Sequence, residues 1–408
     1  MSEQDMIVLG GGIIGKTAAL ALAQRGFKVL HLSLHSSTES AQPTGDLTQN
    51  AWQSRVYALS PSSKKLFQEL HIWDALTPAR IQNVQQMCIY GDSGKSADAL
   101  QFSAFEGAVP QLAWIVESDL IENALRLACQ FQQNLTQKII TSSKLCLNGP
   151  VPMVQTDIGD FGAKLIIAAD GSNSPTRQSL NISVEEKLYA HEAIIANFAC
   201  TQPTLQTAHQ WFLPGGDILA LLPLPDKKVS LVWSSSHAQT LLSLGLEHPK
   251  AFARKVEEQA LGKVREIVGA LSLINTPSSF SLKRLEAKQV ISTDHPKHQT
   301  CVVLIGDAAH VMHPLAGQGL NIGLRDIADL VNTLQEKETF RAINDRVLLR
   351  RYERKRAGDV RAILELTHHL HQLFLRADTP TQWLRNQGMR LLNQQPFIKR
   401  QLIAKAMG

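Results

Sequence analysis

One turn near the amino terminus constrains the fold more than any other feature of the chain. The apolar run Met6–Leu9 predicts a buried strand, and it leads into Gly10, Gly12 and Gly15 in the spacing Gly-x-Gly-x-x-Gly. A helical pattern follows, and Lys28–Leu32 predicts a second strand. Glycines at this spacing allow a tight strand-to-helix turn and the close approach of a pyrophosphate to the helix N-terminus. The sequence therefore predicts a β-α-β unit that binds a dinucleotide.

One position in this unit departs from the usual pattern. Ser33 stands at the end of the second predicted strand, where an acid normally binds the hydroxyls of the adenosine ribose. A serine can make a neutral hydrogen bond but not a charge-assisted one. We therefore expect cofactor retention to be weaker by roughly 1–2 kcal/mol.

A second apolar strand, Lys164–Ala169, ends at Asp170 and Gly171. An Asp-Gly pair favours a tight turn, and Ser174-Pro175 just beyond it favours the start of a helix. The segment predicts another strand-to-helix connection.

A third apolar run ends at Asp307 and is followed by a loop that contains Pro314, Gly317 and Gly319, and then by the helical pattern Leu320–Leu334. Glycines let backbone N–H groups come close to a ligand, and a helix start offers unpaired donors with a partial positive charge. The acid can bind the hydroxyls of a sugar or a ribityl chain. The segment therefore predicts a site for a polar, electron-rich ligand.

These three motifs, in this order, resemble those of the class A flavoprotein monooxygenases, the para-hydroxybenzoate hydroxylase type. The resemblance implies an α/β fold with a Rossmann-like FAD-binding domain, an inserted β-sheet substrate domain and a helical C-terminal region. It also implies FAD as cofactor, with NAD(P)H and O2 as co-substrates and no separate nicotinamide domain. Asp307 would bind the ribityl chain, the loop from Pro314 to Asn321 would lie against the isoalloxazine ring, and Arg55 would lie near the flavin. The cofactor-binding residues predicted in this way are Gly10, Gly12, Ile14, Gly15, Ser33, Arg55, Asp170, Gly171, Gly306, Asp307, Pro314, Gly317, Gln318, Gly319, Leu320 and Asn321.

A closer resemblance rests on the β-rich region after Lys187. Phe212, Leu219–Pro223, Val232–Ser234 and the tail Arg351–Asp359 resemble the ubiquinone-biosynthesis hydroxylases (the UbiH, UbiI, UbiF and COQ-type group). That group hydroxylates the aromatic ring of a polyprenylated phenol or quinone precursor, and flavin reduced by NAD(P)H forms the C4a-hydroperoxide that supplies the oxygen. The sequence identifies no catalytic base.

Three histidines of this region are the candidates for such a base: His191, His209 and His237. We expect each of them to be structural.

Composition limits the class of protein. The five cysteines show no Cys-x-x-Cys spacing, which argues against a disulfide framework and against a metal site. The first strand begins too early for a signal peptide, and no apolar run reaches the roughly 18 residues of a membrane span. We expect a cytoplasmic protein.

The net charge of +5 is concentrated near the C-terminus, where residues 381–408 contain five basic residues and no acid. One interpretation is a solvated helix face. The other is attraction to anionic lipid headgroups at the inner face of the membrane, or to a protein complex of quinone biosynthesis. No nucleic-acid motif accompanies the charge, so we expect no nucleic-acid partner.

We predict a discontinuous FAD-binding domain (1–75, 100–185 and 285–340), a substrate domain (76–99 and 186–284) and basic C-terminal helices (341–408). Two other functions stay open. Ser33 and the basic tail are compatible with an accessory subunit that binds flavin weakly or not at all. The fold is also compatible with a flavin oxidoreductase that acts on another apolar substrate.

Overall fold

The computed structural model describes residues 4–34, 52–53, 55–91, 99–147, 149, 151–213, 215–292, 300–312, 318–375 and 387–407. The strands are β1 (Gln4–Leu9), β2 (Val29–Leu34), β3 (Val56–Leu59), β4 (Gln82–Val84), β5 (Gln86–Tyr90), β6 (Leu100–Ser103), β7 (Ala113–Glu117), β8 (Leu135–Ile140), β9 (Ser143–Cys146), β10 (Met153–Thr156), β11 (Gly159–Ala168), β12 (Val184–Cys200), β13 (Thr207–Phe212), β14 (Ile218–Leu224), β15 (Lys228–Ser235), β16 (Leu271–Leu273), β17 (Ser278–Ala287), β18 (Val302–Leu304) and β19 (His310–Val311). The α-helices with described bounds are α1 (Ile13–Gln24), α2 (Pro61–Glu69), α3 (Ser118–Gln130), α4 (Pro175–Ser179), α5 (Ala238–Glu247), α6 (Pro249–Glu257), α7 (Lys263–Val268), α8 (Gln318–Gln335), α9 (Arg346–Leu375) and α10 (Pro396–Met407).

The first sheet contains the three predicted motif strands. Within the described residues its order is β8-β2-β1-β11-β10-β9, with β18 also paired to β11. The strands β8, β2, β1, β11 and β18 run parallel. Helices α1, α3 and α8 pack together beside this sheet around a core that includes Leu20, Leu125 and Leu330. The predicted β-α-β unit and the α/β class are confirmed.

The second sheet has the order β19-β17-β12-β15-β14-β13-β5-β6 among the described residues, with β16 also paired to β12. The segments Leu219–Pro223 and Val232–Ser234, on which the closer resemblance rests, lie in β14 and β15. Asp226 and Lys227 turn the chain between them with φ values of 57° and 54°. Those left-handed angles belong to the tight turns whose twist matches that of a hairpin.

The two faces of the second sheet have different neighbours. One face carries Phe198, Trp211 and Trp233 and packs against α5, α6 and α7 in a single apolar core. The opposite face of β14 lies against β4 and β7, which form a three-stranded sheet with β3. The large side chains of Trp211, Phe212 and Trp233 are all buried.

In the part of the chain that the structure describes, no helix combines the length and the apolar character needed to cross a membrane.

Candidate functional site

Four strand ends of the first sheet meet at one edge. In the parallel registers Leu9 lies opposite Leu32 and Ala168, and Ala168 lies opposite Leu304. The residues that follow these strands therefore leave the sheet side by side. The carboxyl edge of a parallel sheet is where such folds bind their ligands. The three predicted motifs, although far apart in sequence, are thus brought together.

The glycine turn after β1 is tightly built. Gly10 has φ +130°, and a Cβ there would lie 2.1 Å from the carbonyl oxygen of Ala169. A Cβ at Gly15 would lie 1.9 Å from the carbonyl oxygen of Gly10. Both positions admit only glycine, because any side chain would collide with backbone.

Gly12 differs from Gly10 and Gly15, the other two glycines of the motif. No atom lies within 4 Å of the place where its Cβ would stand. Gly12 is also the N-cap of α1, and no side chain caps that helix or puts an acid in its first turn. The first N–H groups of α1 are thus available to an anion, and the space above Gly12 lets one approach. This geometry fits a pyrophosphate.

Two residues of β2 contact the glycine turn. Ser33 is half-buried, and a Cβ built on Gly11 would lie 3.0 Å from the Cβ of Ser33. His31 is buried, and its Nε2 lies 2.8 Å from the carbonyl oxygen of Gly10. Since a carbonyl can only accept, Nε2–H must donate, which leaves Nδ1 to accept from Gln137 at 3.2 Å. The strand pattern of β2 does not reveal this contact of His31, which depends on the glycine turn being brought alongside it.

The Asp-Gly motif after β11 is confirmed as a turn into a helix. Gly171 has φ +85°, and Ser174 caps α4 by accepting from the N–H of Arg177. One carboxylate oxygen of Asp170 accepts from the N–H of Thr176 at 3.0 Å. The other, Oδ1, is buried without a partner among the described residues, which leaves an acceptor for a ligand donor.

Arg177 connects this motif to the next. Its guanidinium is buried and donates to the carbonyl oxygens of Ala308 at 2.9 Å and of Ser172 at 2.8 Å. The sequence alone predicted no role for Arg177. The contact holds the second and third motifs in one arrangement.

The Gly-Asp motif after β18 lies against α1. Gly306 has φ +57°, and a Cβ there would lie 3.0 Å from Cγ2 of Ile14. Ile14 also contacts Gly323 of α8, where a Cβ would lie 2.7 Å from its Cδ1. Ile14 is therefore placed between the first and third motifs, and it packs on protein.

Asp307 combines an exposed side chain with dense protein around its carboxyl group. That desolvation raises the pKa of the carboxyl, and His310, Arg55 and Lys283 partly offset the rise. Arg55 is exposed as well, and its guanidinium lies 5.2 Å from the ring centre of Tyr57. The charge of Arg55 thus acts on the carboxyl of Asp307.

The predicted residues Pro314 and Gly317 lie outside the described residues. Gln318, Gly319 and Leu320 form the start of α8 and are half-buried. The amide oxygen of Gln318 is buried without a partner among the described residues.

Asn321 uses its side chain within the protein. Its Oδ1 accepts from the N–H of Ser60 at 2.9 Å and from the hydroxyl of Ser63 at 2.7 Å, and its Nδ2 donates to the carbonyl oxygen of Ala58 at 2.8 Å. These contacts fix the start of α8 against β3 and α2, the segment that follows Arg55.

A buried ionic network behind the Gly-Asp motif was missed by sequence reasoning. Asp326 of α8 accepts from the N–H of Gly306 at 2.9 Å, from His310 at 2.7 Å and from Arg356 of α9 at 2.8 Å. The attraction of His310 and Arg356 keeps the pKa of Asp326 below its ordinary value despite the burial. The sequence signal was an acid within the otherwise apolar face of α8, whose partners only the fold reveals.

The three candidate histidines lie in different surroundings. His209 is buried beside the rings of Tyr90 and Trp211, and its Nδ1 lies 3.1 Å from the hydroxyl of Tyr90. His191 is buried with Nε2 3.7 Å from Oδ1 of Asp217, and His237 is exposed beside the start of α5. The structure does not bring the three together.

Comparison with known proteins also indicates an FAD-binding protein. The family model described as "FAD binding domain" matches residues 3–367. The chain is 29% identical to the ubiquinone biosynthesis monooxygenase COQ6 of Drosophila melanogaster, over 99% of this chain and 90% of that protein. It is also 29% identical to the 3-demethoxyubiquinol 3-hydroxylase of Escherichia coli, over 99% of this chain and 98% of that protein.

Solved structures show the same fold at lower identity. PqsL of Pseudomonas aeruginosa in complex with 2-aminobenzoylacetate superposes with a TM-score of 0.72 and 17% identity, over 95% of this chain and 99% of the other. HpxO of Klebsiella pneumoniae, complexed with FAD and uric acid, superposes with a TM-score of 0.70 and 17% identity, over 98% of this chain and 97% of the other. The predicted recognition is confirmed: this chain belongs to the FAD-binding family and has the fold of the FAD-dependent monooxygenases.

Proposed function

We propose that the chain is an FAD-dependent monooxygenase that hydroxylates the aromatic ring of a polyprenylated phenol or quinone precursor in ubiquinone biosynthesis. The observation that carries the proposal is the meeting of the three motif strands at one edge, with open donors at Gly12 and an exposed acid at Asp307. The names of the full-length relatives support the choice of substrate class.

We assign the cofactor contacts as follows. The N–H groups at the start of α1 would bind the pyrophosphate, and Arg55 would complement its charge. Asp307 would bind the ribityl hydroxyls, while Oδ1 of Asp170 would accept from a further cofactor donor. Ser33 would supply a neutral hydrogen bond to the adenosine ribose. Bound FAD, reduced by NAD(P)H, supplies the activation of O2.

The remaining protein would keep water away from that chemistry. The face of β14 and β15 that lies away from α5–α7 carries mostly apolar side chains, among them Ala220, Leu222 and Val232. Such a surface suits an apolar ring and excludes water. No described side chain is placed as a catalytic base, and an electron-rich phenol ring supplies its own nucleophilic carbon.

We also propose the domain division predicted from the sequence, with one adjusted boundary. The parallel sheet with α1, α3 and α8 would form the FAD-binding domain, and the second sheet with α5–α7 the substrate domain. The first segment of the substrate domain was predicted to end at residue 99. Since β6 pairs with β5 in the second sheet, we extend that segment to Ser103.

The basic C-terminal region would place the enzyme next to its lipid substrate. Residues 381–408 contain five basic residues and no acid, which favours an anionic membrane surface or an acidic partner in a biosynthetic complex. Co-sedimentation with vesicles that contain anionic lipid, but not with neutral vesicles, would support the membrane contact. Equal sedimentation with both would contradict it.

The proposed activity is tested by NADPH oxidation with three probes: a prenylated phenol, the same phenol without its chain and an unrelated aromatic acid. We expect the prenylated phenol to stimulate oxidation most and to yield a hydroxylated product. Equal stimulation by the unrelated acid would favour a same-fold oxidoreductase for another substrate. The FAD content of the purified protein tests the accessory-subunit alternative, because near one FAD per chain would argue against it.

A further inference from the structure

A cavity of about 330 Å³ lies between α9 and the end of β17. Its α9 side is formed by residues between Arg350 and Arg361, and its other side by residues 286–290 together with Ala309 and His310. None of its lining residues belongs to the predicted cofactor-binding set. We call this space the α9 cavity, and its volume is within the range of small-molecule sites.

The α9 cavity opens to solvent. Arg350, Ala357 and Arg361 line it, and each of them is exposed. Spacings of seven and four residues place the three on one face of the helix. Lys288, on the opposite side of the cavity, is exposed as well. A ligand can therefore enter from solvent between these side chains.

The acids that line the α9 cavity already have partners. Asp326 is held by three donors. Glu353 accepts from the N–H of Val290 at 3.2 Å, and the carboxylate of Glu286 lies 3.6 Å from the guanidinium of Arg284. Their negative charges are therefore partly offset within the protein.

The arginines of the lining keep donors without an anionic partner. Arg356 is 3% exposed, and its Nε and Nη1 are bonded to acids of α8 and α9, but its Nη2 is buried without a partner among the described residues. Arg350 and Arg361 form no ion pair with a described residue. Lys288, by contrast, pairs with Glu185 at 2.7 Å.

These donors fit an anion. A buried N–H group without an acceptor costs roughly 1–3 kcal/mol, and a bound anion removes that cost. A guanidinium is planar and presents paired donors that match the oxygens of a phosphate. Arg350 and Arg361 are separated by about 16 Å along the helix, with Arg356 between them. Donors spread over that length suit a ligand larger than one phosphate ion.

Part of the lining is apolar. Ala287, Val290, Ala309 and Val360 contribute hydrocarbon surface to the same cavity. A phosphate ion gains nothing from such a surface, whereas the carbon skeleton of a phosphate ester is stabilised there by leaving water.

We propose that the α9 cavity binds an organic phosphate, with its phosphate group at Arg356 and the two exposed arginines and its carbon skeleton on the apolar part. A free phosphate ester and the headgroup of a phospholipid share this chemistry. The cavity is separate from the proposed cofactor contacts and from the face of β14 and β15 proposed for the substrate, so the inference does not depend on the proposed hydroxylation.

The test uses the FAD-loaded full chain, so that the cofactor site is occupied, in a buffer of constant ionic strength without phosphate or sulfate. Isothermal titration calorimetry and the shift in melting temperature measure the binding of three probes: inorganic phosphate, phenyl phosphate and dihexanoyl phosphatidate. The variants are Arg350→Gln and Arg361→Gln, whose exposed positions leave the buried network of Arg356 intact. The matched control is Arg354→Gln, since Arg354 is exposed on α9 but does not line the cavity.

We expect near one organic probe per chain, bound more tightly than inorganic phosphate. Each of the two variants should weaken that binding roughly ten-fold, the effect of one charge-assisted hydrogen bond, and the control should bind as the wild type does. Tighter binding of phosphatidate would assign the site to a lipid headgroup, and tighter binding of phenyl phosphate to a free ester.

Three results would overturn the inference. The first is the absence of saturable binding of either organic probe. The second is wild-type affinity in both variants, or equal weakening in the Arg354→Gln control, because the attraction would then lie elsewhere or be a general effect of surface charge. The third is inorganic phosphate that binds as tightly as both organic probes.

Discussion

At the residue scale, the glycines of one motif have different tasks. Gly15 is glycine because a Cβ would collide with the backbone of Gly10, whereas the space above Gly12 is open. We predict that Gly15→Ala lowers the free energy of unfolding by about 3 kcal/mol or more, since backbone must move. We predict that Gly12→Ala keeps the wild-type stability without cofactor but binds FAD more weakly, because the methyl group occupies the path of the pyrophosphate.

Denaturant unfolding of the cofactor-free variants and FAD titration separate these two effects. Equal destabilisation by both substitutions would contradict the assignment of Gly12 to ligand approach.

Asp307 carries a second residue-scale prediction. Asp307→Ala should reduce FAD affinity by roughly ten- to a hundred-fold, the value of a hydrogen bond to a charged group. Asp307→Asn should lose less, because the amide oxygen still accepts from a ribityl hydroxyl. The measurement is FAD retention after desalting, with the exposed Asp74→Ala as control. An Asp307→Ala protein that kept its flavin would show that the third motif does not hold the cofactor.

His209 gives a third prediction, on the pH dependence of stability. Burial beside Tyr90 and Trp211 lowers the pKa of His209 from 6.5 to about 4. Above pH 6.5 the side chain is neutral in both the folded and the unfolded state, so its full contribution to stability is present. As pH falls from 6.5 through 4 only the unfolded state gains the proton, and about 3 kcal/mol of stability is lost.

The His209→Gln variant should therefore lose less stability than the wild type between pH 7 and 4 in denaturant unfolding. His237 is exposed, so His237→Gln should leave the pH dependence of the free energy of unfolding as it is in the wild type. Parallel curves for His209→Gln and the wild type would show that His209 is not the group responsible.

At the element scale, the packing of α8 against α9 depends on charge. Arg356 is buried and donates to Asp326, which also accepts from the backbone of the Gly-Asp motif. Removing Arg356 leaves the buried Asp326 with His310 and the N–H of Gly306 as its remaining partners, so Arg356→Met should cost about 3 kcal/mol of stability. Lys355→Ala, which removes a half-exposed partner of Asp329, should cost under about 1 kcal/mol.

Thermal and denaturant unfolding measure both variants. Because Asp326 holds the N–H of Gly306, Arg356→Met should also lower FAD retention, while Lys355→Ala should not. A stable Arg356→Met protein with unchanged flavin content would contradict a coupling between α9 and the third motif.

The elements could be predicted where local pattern dictates them. The strand at Met6–Leu9 and the turn at Asp170 follow from apolar runs that end in residues with special backbone freedom. The contacts of His31 and Asn321 could not be predicted, because their partners lie 21 residues or more away in sequence and are brought close only by parallel pairing or helix packing.

At the scale of the whole molecule, the two large sheets have different proposed roles. The parallel sheet brings the cofactor motifs together at one edge, and the second sheet forms the main part of the proposed substrate domain. The proposed reaction therefore needs the full chain, and the relatives match it over nearly its whole length.

Isotope labelling tests this account most directly. The FAD-loaded protein is incubated with NADPH, a short-chain prenylated phenolic substrate and ¹⁸O2, and the product is examined by mass spectrometry. The account predicts a ring-hydroxylated product that contains one ¹⁸O atom, formed only when both NADPH and FAD are present. A product whose new oxygen came from water, or NADPH oxidation that yields only hydrogen peroxide with every prenylated phenol tried, would contradict it.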